Sequence, residues 1–156
     1  MPLAGMAGSD LLTASGFRSV ADPYSGREVV VIPAIRPDVA LLHVQEADED
    51  GNLRIQGAPY EDVLLAKASS RIIATAERIV PRESFLEEPE RTALPGFLVD
   101  MVVEAPKGAW PTSCAYEYEY DSGYLTAYAS AARTQEGFER FMNSRALKVE
   151  VLAGHG

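Results

Sequence analysis

The sequence predicts an α/β chain, an open and mainly parallel sheet with flanking helices, and three observations predict it. Two continuous apolar runs, VALLHV at 39–44 and RIIATA at 71–76, have strand length and lack polar alternation, the pattern of strands covered on both faces. Between them, PYEDVLLAKASS reads as a helix, and the order strand, helix, strand implies a right-handed parallel crossover. The chain has 156 residues, 47% hydrophobic and 24% charged, enough for one domain over residues 1–156 that buries its core without disulfide or metal.

Each element follows from local chemistry. Residues 1–27 read as an irregular N-terminal segment rich in Gly, Ser, Ala and Pro, with a short helix near Asp10–Ala14 and a turn at DPYSG. EVVVIP at 28–33 is a β-branched strand ended by Pro33, and LRI at 53–55 is a short hairpin return. In the helix after it, Pro59 sits near the start and Glu61 and Asp62 in the first turn. Tyr60, Val63, Leu64 and Ala68 share a face over about three turns. Residues 81–96, with three prolines, form a loop or broken helix, and FLVDMVVEAP at 97–106 is the last strong strand, interrupted by Asp100. GAWPTSCAYEYEYDSG is irregular and aromatic. Beyond it Leu125, Tyr128, Ala129 and Ala132 mark one amphipathic helix, and Phe138, Phe141 and Met142 mark a second, with Thr134 as N-cap.

The net charge of −9 excludes a nucleic-acid backbone as partner, because such binders need clustered Lys and Arg. A small anion on fixed backbone N–H dipoles stays open. No apolar run has membrane-span length, so no membrane partner is expected. MPLAGMAGSD has neither a basic n-region nor an apolar h-region, so no signal peptide is indicated. A single cysteine, Cys114, rules out an internal disulfide framework and fits a reducing, cytoplasmic setting.

The candidate chemistry centres on LLHVQEADEDGN at 41–52. Asp48, Asp50 and Asn52 alternate like the start of a calcium loop, but Leu53 and Pro59 stand where that loop needs Gly and Glu, which excludes it. A solvated Asp-Gly hairpin accounts for the carboxylates. His43 and Gln45 point instead to a pocket, since they lie at the expected carboxyl end of a central strand, where open α/β sheets bind ligands. A lone strand histidine is otherwise a satisfied core residue. Glu77 follows RIIATA as His43 follows VALLHV, so neighbouring strands deliver both to one edge; a solvent-facing glutamate is the alternative. Cys114 reads as a small buried apolar residue, and EYEYDSGY at 117–124 as an exposed loop or subunit contact. With His43 and His155 as the two histidines, no His-based metal site is expected, and nucleotide-loop and serine-hydrolase signatures are absent.

Taken together, VIPAIRPDVALLHVQEADEDGN, RIIATAERIVP, LPGFLVDMVVEAPKGAWPTSC and the tyrosine-rich acidic segment resemble the alpha subunit of family I coenzyme A transferases. The glutaconate type is nearest, a group that includes relatives hydrolysing ring-fragment thioesters. The most specific element is H-x-Q-x-A-D-x-x-G-N, carried by His43, Gln45, Ala47, Asp48, Gly51 and Asn52. Glu46, Gln56 and Trp110 depart from the group's pattern, standing where Arg, Trp and His are common. The resemblance covers nearly the whole chain but corresponds to the C-terminal part of a typical alpha subunit, without its glycine-rich first half. It implies a coenzyme A transferase fold, no permanently bound cofactor, and a coenzyme A thioester and a carboxylate as small-molecule substrates. The implied partners are a missing N-terminal half and a beta subunit. His43, Gln45, Asp48, Gly51, Asn52 and Glu77 would contribute to substrate binding. In the family a glutamate attacks the acyl-CoA, forming an acyl-glutamyl anhydride and then a glutamyl-CoA thioester; that glutamate is expected outside this chain. The alternatives are a thioester hydrolase of the same family and a truncated, non-catalytic assembly module that pairs through an exposed sheet edge.

Overall fold

The computed structural model describes residues 2–3 and 8–153, and their side chains except those at 2, 3, 11, 13 and 145–153. Met1 and residues 4–7 of the N-terminal stretch, and His155, lie outside the described residues.

Two sheets form. The main one has the order β5-β4-β6-β7, from β4 (Val39–Asp48), β5 (Leu53–Arg54), β6 (Arg71–Val80) and β7 (Met101–Glu104). β4 pairs in parallel with β6, β6 in parallel with β7, and β5 returns antiparallel beside β4, as its hairpin position predicts. The sheet is thus mainly parallel and mixed α/β, as the apolar runs predict.

The second sheet stands apart from the main one. β3 (Glu28–Val31) pairs antiparallel with β1 (Pro2–Leu3) and β2 (Arg18–Ala21), outside the main sheet. Its burial alternates, with Val30 fully buried and Val29 and Val31 half-buried, so a continuous run of valines here is a one-sided strand. Within residues 1–27, α1 (Asp10–Ala14) is the short helix expected, and β1 and β2 are strands where irregular chain was expected.

Period-2 alternation gives the main sheet an apolar face and a mixed one. Ala40, Leu42 and Val44 on β4 and Ile72, Ala74 and Ala76 on β6 are buried against Ala66 of α2 (Asp62–Ala68), Leu53 and Leu94. Alanines at four of these positions let the covering layer approach closely, and each larger side chain removed from water stabilises the fold by roughly 1.5–3 kcal/mol. α2 is shorter than predicted and turned differently. Tyr60 adopts φ 41, so regular helix begins only at Asp62. The inward face carries Val63 and Ala66, whereas Tyr60 and Leu64 are exposed.

Residues 82–91 are the broken helix expected, α3 (Arg82–Glu87) followed by a single 3-10 turn. Asp100 explains the late start of β7. Its Oδ2 accepts from the Ile72 N–H at 2.7 Å and its own N–H donates to the Ile72 carbonyl, so the residue closes the mouth of the sheet and the strand starts at Met101. After β7 the chain loops over the mixed face, held by a pairing between Cys114 and Tyr118, and then enters α4 (Ser122–Ala131) and α5 (Gln135–Ala153). Asp121 caps α4 through the Tyr124 N–H at 2.8 Å. Thr134 caps α5 through the Gly137 N–H at 3.1 Å, as its position predicts. Edge-to-face contacts of Tyr124 with Trp110 and Phe141 tie the helix pair to that loop.

Candidate functional site

Register places the first two candidate residues together. His43 pairs with Thr75 across β4 and β6, and Glu77, two residues further along β6, projects from the same face. His43 Nε2 lies 2.7 Å from Glu77 Oε1, and Nδ1 lies 2.8 Å from the Thr75 hydroxyl. The pair sits within the strands, because β4 runs on to Asp48 and β6 to Val80. It is level with the place where β7 stops, Glu104 standing beside Ala76. There the loop after β7 folds over it. The Tyr118 hydroxyl donates to Glu77 Oε1 at 2.6 Å and the Lys107 N–H to Oε2 at 2.6 Å. Gly108 lies against the imidazole so closely that a Cβ there would stand 2.7 Å from His43 Cε1.

Glu77 is therefore held on both oxygens. Burial alone would raise its pKa, but hydrogen bonds from Tyr118, the Lys107 backbone and His43 outweigh it and hold the carboxyl below its ordinary range. A carboxylate only accepts, so His43 carries its proton on Nε2. Burial, and then the hydrogen bond to Glu77, pushes the Tyr118 phenol up to about 12. Cys114 is buried as expected; that burial, with the charges of Glu77 and Glu117, raises its thiol pKa. Donor atoms of His43, Glu77 and Cys114 lie within 4.8 Å of one another, a spacing a transition metal can bridge. Metal binding would have to displace the hydrogen bonds Glu77 already accepts and the proton Cys114 holds.

Gln45 belongs to the same neighbourhood. It is buried, donates to the carbonyls of Ala115 and Gln56 at 3.1 and 3.3 Å, and accepts from the Gln56 N–H at 2.9 Å. Asp48, Gly51 and Asn52 form a separate unit. Asp48, 2% exposed, accepts at Oδ1 from the N–H groups of Asp50 and Asn52, and at Oδ2 from the Asn52 amide at 2.7 Å. Gly51 has φ +83, a conformation that suits glycine. Asn52 Oδ1 accepts from the Gly96 N–H at 2.8 Å, and a Cβ on Gly96 would stand 2.1 Å from the Asp50 carbonyl. The predicted hairpin is thus real and largely closed on itself, although Asp48 and Gly51 also line a 390 Å³ cavity with Asp100 and Val102.

Glu46 accepts from Arg54 and from Arg78, each at 2.7 Å, and Arg78 continues to Glu117 at 2.6 Å. This chain of ion pairs clamps β4, β5, β6 and the covering loop. Burial opposes ionisation of Glu46, but the two guanidinium groups more than offset it and lower its pKa. A 490 Å³ cavity opens beside it, lined by Arg54, Gln56, Arg91 and Tyr116 among others. Sequence reasoning misses Thr75, Tyr118 and Gly108. The one signal that could have found any of them is the place of Tyr118 in an aromatic run close to the cysteine.

The family model described as coenzyme A transferase matches residues 7–105. A glutaconate CoA-transferase subunit of Acidaminococcus fermentans is 39% identical over 126 residues, 80% of this chain and 39% of the relative. The crystal structure of glutaconate coenzyme A-transferase from that organism superposes with a TM-score of 0.85 over 92% of this chain and 51% of its own. The cholesterol ring-cleaving hydrolase IpdA subunit of Mycobacterium tuberculosis is 33% identical over 154 residues, 92% of this chain and 53% of the relative. A variant of the decarboxylase AibA/AibB superposes with a TM-score of 0.78 at 41% identity, over 92% of this chain and 53% of its own. The chain spans about 40 to 53% of the length of these proteins.

Proposed function

This chain belongs to the coenzyme A transferase family, and from that premise we propose that it is a subunit, or part of one, of a cytoplasmic enzyme moving coenzyme A between carboxylic acids. The observation that carries this reading is the 39% identity with the glutaconate CoA-transferase subunit over four-fifths of the chain. The substrates are an acyl-CoA thioester and a free carboxylate. A nucleophilic glutamate, supplied by a beta subunit, attacks the thioester carbonyl and releases the coenzyme A thiolate. The thiolate then attacks the resulting anhydride at the enzyme's carbonyl, freeing the first acid. The second acid repeats the sequence in reverse.

Within this chain, His43, Gln45 and Glu77 form a fixed polar wall, and Asp48, Gly51 and Asn52 shape the adjoining loop. Glu77 does not fit the nucleophile's part, since its carboxyl already accepts three hydrogen bonds. Its role is to hold His43 and Tyr118, a preorganised arrangement that costs no reordering when a ligand arrives. A second reading is favoured by the 33% identity with the IpdA subunit over 92% of the chain. There water replaces the second acid and the thioester is hydrolysed.

The test is to purify the chain with the missing half and a coenzyme A transferase beta subunit, and to supply glutaconyl-CoA and acetate. Appearance of acetyl-CoA by mass spectrometry is the expected result, with the chain alone inert. Free coenzyme A without acetyl-CoA selects the hydrolase, and neither product removes both readings.

A further inference from the structure

Three donor groups of different chemistry meet on the mixed face of the main sheet. His43 comes from β4, Glu77 from β6 and Cys114 from the loop after β7, and one donor atom from each lies within 4.8 Å of the other two. All three are well covered: the side chains of His43 and Glu77 are 17% and 7% exposed, and Cys114 is buried. Around a tetrahedral zinc ion, with bonds of about 2.0–2.3 Å, ligand atoms stand roughly 3.3–3.7 Å apart. No separation among the three therefore has to change by more than roughly 1.5 Å, a shift that side-chain rotation supplies.

The outer atoms are anchored as those of metal ligands usually are. His43 Nδ1 lies 2.8 Å from the Thr75 hydroxyl, which donates to the Leu42 carbonyl at 3.3 Å and so can accept a proton from Nδ1. The Lys107 N–H holds Glu77 Oε2 at 2.6 Å, which leaves Oε1 to an ion. Gly108 packs against the imidazole with no room for a Cβ, so the ring keeps its place. The local charge also favours a cation. Glu77 and Glu117 both act on the Cys114 sulfur against its ionisation, a field that a divalent ion reverses. Arg78, the cation on the same side, is already paired with Glu46 and Glu117.

We infer that His43, Glu77 and Cys114 form a binding site for a zinc-like transition-metal dication, with water in the fourth position. One thiolate, one imidazole and one carboxylate suit zinc or cobalt; calcium and magnesium take oxygen cages instead. On binding, the thiol proton leaves to solvent and the His43 proton moves from Nε2 to Nδ1, where Thr75 accepts it. The hydrogen bonds at Glu77 Oε1 give way to the metal–oxygen bond. The ion ties the covering loop to both central strands. It needs neither substrate nor partner subunit, so the site stands or falls separately from the transferase reading.

The experiment titrates the full chain, freed of metal and kept reduced, with cobalt(II) and then displaces the cobalt with zinc(II). One ion per chain should bind, giving the strong visible bands of tetrahedral cobalt and a near-ultraviolet thiolate-to-cobalt charge-transfer band. Cys114 is the single cysteine, so that band has one source. Cys114→Ser should lose the band and weaken zinc binding by at least about tenfold, and His43→Gln should weaken it at least as much. Thr75→Val, which removes only the partner of Nδ1, should weaken it about tenfold with the charge-transfer band kept. His155→Gln, at the other histidine, should change nothing. Circular dichroism shows which metal-free variants are folded, and the wild-type charge-transfer band decides the matter if the ligand variants are not. Absence of saturable binding overturns the site. So does cobalt bound without the charge-transfer band, zinc binding undiminished in a folded Cys114→Ser, or one ion shared between two chains.

Discussion

Two parts of one strand use polar side chains in opposite ways. At the end of β4, Asp48 makes its hydrogen bonds within four residues, to Asp50 and Asn52, and Asn52 adds one distant contact, from the Gly96 N–H. In its middle, His43 makes contacts 32 and 34 residues away, with Thr75 and Glu77, and Glu77 in turn reaches Lys107 and Tyr118. A local network forms with its turn; a long-range one exists only once the sheet and its covering loop have assembled. Removing members of the first should therefore lower the stability of the whole chain, and removing members of the second should mainly loosen the loop over the site.

The largest effect belongs to the turn. Asp48→Ala leaves the Asp50 and Asn52 N–H groups without their acceptor beside a buried strand end, at a cost of about 3 kcal/mol. The shift of the urea midpoint measures it. A loss below about 1 kcal/mol, the size of one ordinary hydrogen bond, would erase the contrast between the two regions.

That contrast also explains what could be read beforehand. The Asp-Gly hairpin, the antiparallel return of β5 and the parallel β4–β6 pair were legible because turn chemistry and apolar run length are local signals. The meeting of His43 and Glu77 followed from the equivalent places they hold on two such runs. The pairing of Tyr118 with Glu77 was not legible, since the two stand 41 residues apart and it depends on the path of the irregular loop after β7. The face of α2 was misread for a related reason. Tyr60, Val63, Leu64 and Ala68 satisfy helical spacing, but Tyr60 at φ 41 delays the helix, and Leu64 has no covering layer here. Asp48 and Glu77 looked alike as carboxylates near a strand end; burial and partner distance separate them.

An intermediate effect is expected at Glu77→Gln. The amide keeps one acceptor oxygen where the carboxylate had two, and its NH2 meets N–H or O–H donors, so the loss is roughly 1–2 kcal/mol. Its pH dependence carries a sign. The folded-state pKa of Glu77 lies below the ordinary 4.5, so the carboxylate's contribution is present above that value and is lost as pH falls through the folded one. Stability curves of the two proteins should run parallel at neutral pH and converge in acid. Curves that stay parallel down to acid unfolding would show that the Glu77 charge does not hold the network.

The smallest effect sits at the outer end of that network. The Tyr118 phenol is raised to about 12 from its ordinary 10, by burial and then by the hydrogen bond it donates to Glu77. A raised folded-state pKa favours the protonated form, so this contribution is complete below pH 10 and is lost as pH rises towards 12. Near neutrality Tyr118→Phe should cost only about 1 kcal/mol, one hydrogen bond, while leaving the Asp48 turn untouched. The phenolate absorbance of wild type minus Tyr118→Phe isolates one titration, which should be centred about two units above the ordinary tyrosine value. In Glu77→Gln the same difference titration should move back towards 10, since the neighbouring charge is gone and burial alone remains. A Tyr118 that titrates at 10 with Glu77 intact would mean that the loop does not rest on the sheet in solution, and the wall around His43 would then be open on that side.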